Sequence, residues 1–170
     1  MFGPLVPGRE CGDCVACCIE IAIDDPALVK PPGERCLHCT SAGCGIYATR
    51  PGDCRKWYCG WRRLPELPDR LRPDACGIMA CLMGRPGDAN PFLRMYVVAQ
   101  WLDEAPIVRS PEADELLARL RLVGLPVWVA SGQRMSLHFP REAIALHVLN
   151  GTEPAADEAE EVAFWREQLG

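Results

Sequence analysis

Hydrophobic and polar positions divide the chain into a first part without long periodic segments and a second part with clear ones. Between about residues 9 and 62, Cys, Gly and Pro interrupt every apolar run, which predicts little regular structure there. Two short elements are expected within it: a strand at Ile19–Ile23 and a helix at Pro26–Lys30 capped by a preceding aspartate. The prolines of Leu64–Asp74 predict an extended connector to the second part.

The second part has the patterns of alternating strands and helices. Apolar segments predict four strands, at Gly77–Met83, Phe92–Gln100, Pro126–Ala130 and Met135–Phe139, the last two joined as a hairpin. Helical periodicity and capping signals predict helices at Pro111–Leu122, Arg141–Leu149 and Ala155–Leu169. We therefore predict an α+β fold, in which a cysteine-rich lobe (residues 1–75) packs on a small mixed α/β lobe (residues 76–170). The second lobe is expected to have a mostly antiparallel sheet with helices on one face, and the two lobes to form one compact unit.

Composition places the chain among globular proteins. It has 170 residues, of which 49% are apolar, enough for one proper core. No apolar run approaches the roughly 18 residues that predict a membrane span. The N-terminus lacks the basic start and long apolar stretch of a signal peptide. These observations predict a cytoplasmic protein that does not engage membranes.

Charge is distributed unevenly between the two parts. Residues 1–90 carry 11 basic and 11 acidic side chains, whereas residues 91–170 carry 7 and 12. An acidic second part repels phosphate, and no basic stripe interleaved with aromatic residues is present. We therefore expect no binding to nucleic acid.

Cysteine carries the candidate chemistry. All 11 cysteines lie between Cys11 and Cys81. In a reducing compartment, clustered thiols are more often metal ligands than disulfides. The pattern therefore favours metal binding, with thiol redox chemistry and a disulfide framework as the alternatives.

Three groups of cysteines make up most of this set. The first is Cys11-Gly-Asp-Cys14-Val-Ala-Cys17-Cys18, the second Cys36-Leu-His-Cys39-Thr-Ser-Ala-Gly-Cys44, and the third Cys54-Arg-Lys-Trp-Tyr-Cys59. A gap of two residues lets the loop curl so that both sulfurs face one ion. The side chains of adjacent residues diverge. We therefore expect Cys17 and Cys18 to bind different ions, or one of the two thiolates to bridge two ions.

Taken together, these motifs resemble the YkgJ-like cysteine cluster family, which is named for a zinc- or iron-chelating domain. The CxxCxxCC run, the C-x-I-Y context of Cys44 and the R-P-x-x-C-R context of Cys54 carry the resemblance, over about residues 9–62. It implies a metal-chelating domain but no reaction. It also implies eight metal ligands: Cys11, Cys14, Cys17, Cys18, Cys36, Cys44, Cys54 and Cys59. Cys39 stands where the family has an apolar residue, and Cys76 and Cys81 fall outside the signature.

The metal is predicted from the number of ligands. Eight thiolates suit two tetrahedral zinc sites, one shared binuclear site, or an iron–sulfur cluster with thiols to spare. We predict two zinc ions per chain, because a single cluster would leave about four of these cysteines unexplained. Iron, or a 4Fe-4S cluster, is the alternative.

Other residues near the cysteines have supporting roles in this interpretation. Arg50, Arg62 and their basic neighbours are expected to offset thiolate charge, and Tyr47, Trp57, Tyr58 and Trp61 to cover the site. Cys76 and Cys81 are expected to be buried structural thiols, and His38 a weaker ligand candidate.

The sequence leaves the biological role open. No P-loop, dinucleotide turn, HExxH motif or nucleophile elbow is present, so whether the protein is an enzyme is undecided. The favoured function is metal binding, with a structural role or a role in metal handling. The rivals are an iron–sulfur enzyme or electron carrier and a thiol-redox protein. The metal ion is the partner that the sequence predicts, and it identifies no protein partner.

Overall fold

A computed structural model describes residues 3–102, 110–132 and 134–170 of the chain. Within these ranges there are six α-helices: α1 (Ala16–Glu20), α2 (Gly52–Lys56), α3 (Pro73–Cys76), α4 (Pro111–Arg121), α5 (Glu142–Asn150) and α6 (Ala159–Leu169). The same ranges contain eight strands: β1 (Ile23–Asp25), β2 (Leu28–Lys30), β3 (Cys39–Thr40), β4 (Gly43–Cys44), β5 (Ile78–Met83), β6 (Tyr96–Trp101), β7 (Val127–Ser131) and β8 (Arg134–Phe139). Short 3₁₀ turns lie at Tyr47–Thr49, Gly60–Arg62, Asp69–Leu71 and Pro91–Leu93. The fold is α+β, as the sequence predicts.

The main sheet has four strands in the order β5-β6-β7-β8. Its two outer pairings are antiparallel, whereas β6 and β7 run parallel with Val97 opposite Val127. Parallel neighbours need a long crossover, and α4 lies in the connection between them. Ser110 caps this helix, because its Oγ accepts a hydrogen bond of 3.0 Å from the N–H of Ala113. The four predicted strands and the predicted helix over Pro111–Leu122 are thus confirmed.

Helices cover both faces of this sheet. On one face α4 packs Leu116 and Leu120 against strand residues that include Val97 and Val127. On the other face, the fully buried Trp165 of α6 packs with residues of α5 and with Phe92. The expectation of helices on one face was therefore wrong. Because apolar side chains of β7 point alternately to the two sides, as Val127 and Trp128 do, each face needs its own cover.

The helices are short. The longest of them, α4 and α6, have 11 residues each, against about 20 for a membrane span. None of the helices in the described ranges combines the length and the apolar character that crossing a bilayer requires.

The first part of the chain differs from the sequence prediction. The predicted strand at Ile19–Ile23 is not formed, because Ile19 and Glu20 end α1 and only Ile23 lies in a strand, β1. The helix predicted at Pro26–Lys30 is instead the turn and the second strand of the antiparallel hairpin β1–β2. Asp25 explains the second error, because its Oδ1 accepts the N–H of Ala27 at 3.0 Å and so closes a turn. The predicted connector Leu64–Asp74 also folds back onto the core, where Leu67 and Leu71 are buried.

The first part packs directly on strand β5. Met79 and Cys81 of this strand form an apolar cluster with Ala16, Cys14 and Cys17. On the opposite side of β5, Trp61 joins the core beneath α4. The two parts of the chain therefore contact each other through apolar side chains, as the sequence analysis expects. The boundary placed between residues 75 and 76 stays a prediction.

Candidate metal centre

A cavity of about 390 Å³ lies in the first part of the chain. All eight cysteines that the sequence predicts as ligands line it: Cys11, Cys14, Cys17, Cys18, Cys36, Cys44, Cys54 and Cys59. They come from the loop before α1, from α1 itself, from the residues around the hairpin β3–β4, and from α2 and the loop after it. The fold thus brings together thiols that are up to 48 positions apart in the sequence.

Four of these cysteines form what we call the first thiol group: Cys11, Cys14, Cys17 and Cys59. Cys14, Cys17 and Cys59 pack in the cluster under β5, and the N–H of Cys14 donates to the carbonyl of Cys11 at 3.1 Å, which curls the loop. Burial raises the pKa of Cys14 to about 11, and the Cys59 thiol contributes to this rise. Burial also raises the pKa of Cys59, with a further contribution from Cys11.

The other four cysteines form the second thiol group: Cys18, Cys36, Cys44 and Cys54. Cys18 and Cys54 pack with the buried Cys36 against the β1–β2 hairpin, and the N–H of Cys36 donates to the carbonyl of Cys18 at 2.8 Å. Burial raises the pKa of Cys54, with contributions from the Cys36, Cys18 and Cys44 thiols. These four side chains therefore share one electrostatic environment.

The adjacent residues Cys17 and Cys18 separate the two groups. Cys17 packs in the cluster under β5, whereas Cys18 packs beside the β1–β2 hairpin. Their thiols still interact, since this contact lowers the pKa of Cys18 to about 6 and raises the pKa of Cys17. The two groups are thus distinct but contiguous within one cavity.

Cations lie on the walls around these thiols. Lys30 is only 5% exposed, and its Nζ donates to the carbonyls of Ile19, Pro31 and Glu34 at 2.7, 2.9 and 2.7 Å. Burial lowers the pKa of Lys30, and the thiols of Cys36 and Cys18 oppose this effect. The Lys30 ammonium therefore stands beside the second thiol group, where it favours thiolate.

Two arginines also stand beside these thiols, Arg62 near the first thiol group and Arg50 near cysteines of both groups. Arg50 and Arg62 line the cavity, and Arg62 is 7% exposed. The Nε atoms of both are buried without a hydrogen-bond partner among the described residues. A buried N–H without an acceptor is costly, so these guanidinium groups are suited to face the negative charge of thiolates.

Aromatic side chains complete the lining. Tyr47, Trp57, Tyr58 and Trp61 all border the cavity, and Trp61 is buried. The hydroxyl of Tyr47 donates to Cys11 Sγ at 3.8 Å, while the Arg50 guanidinium stacks 3.7 Å from the centre of its ring. All four rings thus lie where the sequence analysis expects them, and their role in keeping water from the sulfurs stays a prediction.

The remaining candidates occupy different positions. His38, the weaker ligand candidate, borders the cavity. Cys76 and Cys81 are buried, as expected, although Cys76 ends α3 rather than lying on a strand. Cys39 packs with the second thiol group, which the sequence analysis did not expect. The sequence signal that could have indicated this position is the CxxC spacing between Cys36 and Cys39.

The thiols stand around the cavity as an open arrangement. In residues 3–102, 110–132 and 134–170, no three side chains of His, Cys, Asp or Glu already enclose a position where a metal ion could be held. The donor set nevertheless suits a soft or borderline metal, since it consists of thiols flanked by cations and aromatic rings.

Replacement of Lys30 tests how its ammonium supports the second thiol group. We expect Lys30→Met to lower the free energy of unfolding by about 3 kcal/mol, because three backbone carbonyls lose a charged donor. Urea unfolding measures this change. The control is Lys56→Met, the same substitution at the other lysine of the chain, which is exposed. Equal stability of the two variants would show that Lys30 contributes nothing beyond its apolar stem.

Comparison of the chain with protein-family models, with curated proteins and with solved structures gives no significant match. The resemblance to the YkgJ-like cysteine cluster family therefore stays a prediction from the motifs. The conclusions about function rest on the residues and on their arrangement.

Proposed function

We propose that this protein binds two zinc ions through its cysteine-rich lobe, one at each thiol group, in a structural role or in metal handling. The first thiol group supplies Cys11, Cys14, Cys17 and Cys59, and the second supplies Cys18, Cys36, Cys44 and Cys54. Four thiolates are the ligand set of closed zinc sites. Each group therefore offers what one zinc ion requires.

The observation that carries the proposal is the cavity lined by all eight cysteines. Side-chain packing supports the proposal as well, since apolar contacts place these thiols in two groups, one around Cys14 and one around Cys36. The buried cations Lys30 and Arg62 offset the net negative charge of a tetrathiolate zinc site. A pair of separate ions also follows from the different surroundings of Cys17 and Cys18.

On this proposal, the binding of zinc moves the cysteine sulfurs, which stand apart around the cavity, toward the ion. A cysteine segment with small apolar clusters depends on metal for much of its folding energy, which is about 10–16 kcal/mol for a structural zinc ion. The loop over Cys11–Cys14 and the hairpin β3–β4 have few buried apolar side chains. They can therefore close around an ion without disturbing the main sheet.

An iron–sulfur cluster at the first thiol group is the second candidate. One observation favours it: the fold brings Cys59 to the C-x₂-C-x₂-C run of Cys11, Cys14 and Cys17. Three close cysteines with a distant fourth are a ligand pattern of such clusters. On this alternative the protein would be an electron carrier or an enzyme. A thiol-redox function has no comparable support from the packing. Both CxxC pairs of the first motif, Cys11–Cys14 and Cys14–Cys17, belong to the first thiol group and so serve as metal ligands on this proposal.

Metal content of protein made and purified without oxygen tests the proposal. We expect about two zinc ions per chain, because two closed tetrathiolate sites use all eight cysteines. Elemental analysis with an optical spectrum is the measurement. Cys14→Ser and Cys36→Ser should each remove about one zinc ion, since each belongs to a different group.

The control for this experiment is Cys76→Ser, which changes a buried thiol outside both groups. It should retain the zinc content of the unaltered protein. Stoichiometric iron with acid-labile sulfide would replace the zinc proposal by the cluster alternative. Protein without bound metal would refute both.

A further inference from the structure

The second thiol group has a fifth cysteine at its edge. Cys39 packs in the same apolar cluster as Cys18, Cys36 and Cys54. A tetrahedral zinc ion takes four thiolates, so the group has one sulfur more than it needs.

The backbone around Cys36 and Cys39 has the form of a ligand turn. The N–H of Cys39 donates to the carbonyl of Cys36 at 2.9 Å, and the N–H of His38 is directed at Cys36 Sγ at 3.4 Å. Such a turn presents both sulfurs of a CxxC pair toward one side. Cys39 is thus placed close to Cys36, which the proposed function makes a zinc ligand.

Cys39 also lies directly across the hairpin from a predicted ligand. In the antiparallel pair β3–β4, Cys39 is opposite Cys44 and Thr40 is opposite Gly43. Residues that face each other in this way project their side chains to the same face, with Cβ atoms about 4.5–5.5 Å apart. Only Cys44 of the two lines the cavity in the described part of the chain, whereas Cys39 is half-buried and lies outside that lining.

We propose that Cys39 is an exchange ligand, which takes the place of Cys44 on the zinc ion of the second thiol group and opens that ion to transfer. The exchange forms a bond from zinc to Cys39 sulfur and breaks the bond to Cys44 sulfur. Cys39 loses its proton to water, Cys44 takes one up, and no electrons are transferred. The inference rests on the proposed zinc binding and assigns metal handling, rather than a purely structural role, to the second group.

The test is the rate at which zinc passes from the loaded protein to the chromogenic chelator 4-(2-pyridylazo)resorcinol. In the unaltered protein one of the two zinc ions should transfer faster than the other. Cys39→Ser should slow that faster phase by roughly tenfold, because a tethered ligand acts at high effective concentration. Ser41→Ala, at the exposed tip of the same hairpin, should leave both phases unchanged. Cys39→Ala repeats the test without a hydroxyl, and circular dichroism verifies that each variant is folded.

Zinc content measured on the same samples separates the possible results. Two zinc ions with a slowed fast phase support the inference. Two zinc ions with unchanged rates overturn it and leave the proposed function intact. Loss of one zinc ion in Cys39→Ser, as in Cys36→Ser, also overturns it, since Cys39 would then hold the ion at rest. Unaltered protein that binds no zinc refutes the proposed function, and the inference with it.

Discussion

Removal of metal should unfold the cysteine segment, residues 9–62, while the four-stranded sheet stays folded. A structural zinc ion supplies about 10–16 kcal/mol, which exceeds what the apolar side chains of this segment provide. Its second thiol group rests on the buried side chains of Ile23, Leu28 and Cys36 alone among described residues. Burial of a side chain such as leucine contributes about 1.5–3 kcal/mol. Without metal, these contacts do not offset the conformational entropy of the turns.

The sheet has its own source of stability. On one face, Leu116 and Leu120 of α4 pack on Val97 and Val127, and all four are fully or almost fully buried. On the other face, Trp165 is fully buried. Neither cluster includes a thiol of the second group. Hydrogen exchange with and without a strong chelator measures the difference. Amides of β1–β4 should lose protection, whereas those of β6 and β7 should keep it.

Two results would contradict this expectation. Unchanged protection across residues 9–62 would show that the segment folds without metal. Simultaneous loss of protection in β6 and β7 would show that the two parts unfold as one cooperative unit. A variant with Cys17→Ser and Cys18→Ser, which removes one ligand from each group, should behave in buffer as the chelated protein does.

Elements of the second part were predictable because local signals agree with the tertiary structure there. The helix α4 has a serine cap, a first-turn proline and acidic residues at its start, and each is a local determinant. The strand β7 is a continuous apolar run over Val127–Ala130, and β8 has apolar residues at alternate positions. What local sequence does not encode is the number of covered faces, since α5 and α6 reach their face only through the chain path.

Elements of the first part were not predictable, because long-range contacts decide them. The side chain of Asp25 accepts the N–H of Gly52 at 2.8 Å, which ties the β1–β2 turn to α2 rather than capping a helix. Lys30 offers no sequence signal of its burial, since its three acceptor carbonyls belong to α1 and to the loop after β2. The set of eight cysteines is what the resemblance to the YkgJ-like cysteine cluster family implies, and the sequence motifs carry that resemblance. Their division into two groups needed the fold, because Cys59 and Cys54 reach different groups from one short stretch.

The contact between the two thiol groups makes Gly43 the most sensitive position outside the cysteines. Its backbone has φ +106°, a conformation that residues with a side chain rarely adopt. A Cβ atom here would overlap the carbonyl oxygen of Gly12, in the loop that carries Cys11 and Cys14. The hairpin β3–β4, which carries Cys44, therefore packs on the loop of the first thiol group through backbone atoms, with no side chain between them.

Gly43→Ala should accordingly reduce zinc binding at both groups. The strained backbone alone costs about 1–3 kcal/mol, and the overlap adds to it because Gly12 is itself fixed by a φ of +57°. We expect a loss of more than one zinc ion per chain, unlike any single cysteine replacement.

The matched control is Gly33→Ala, which has a similar positive φ of +78° but no neighbouring atom within 4 Å. Elemental analysis and urea unfolding compare the two variants. Equally reduced zinc content in both would show that strain, rather than the packing of one thiol group on the other, sets the effect. Full zinc content in Gly43→Ala would show that the two groups fold around their ions independently.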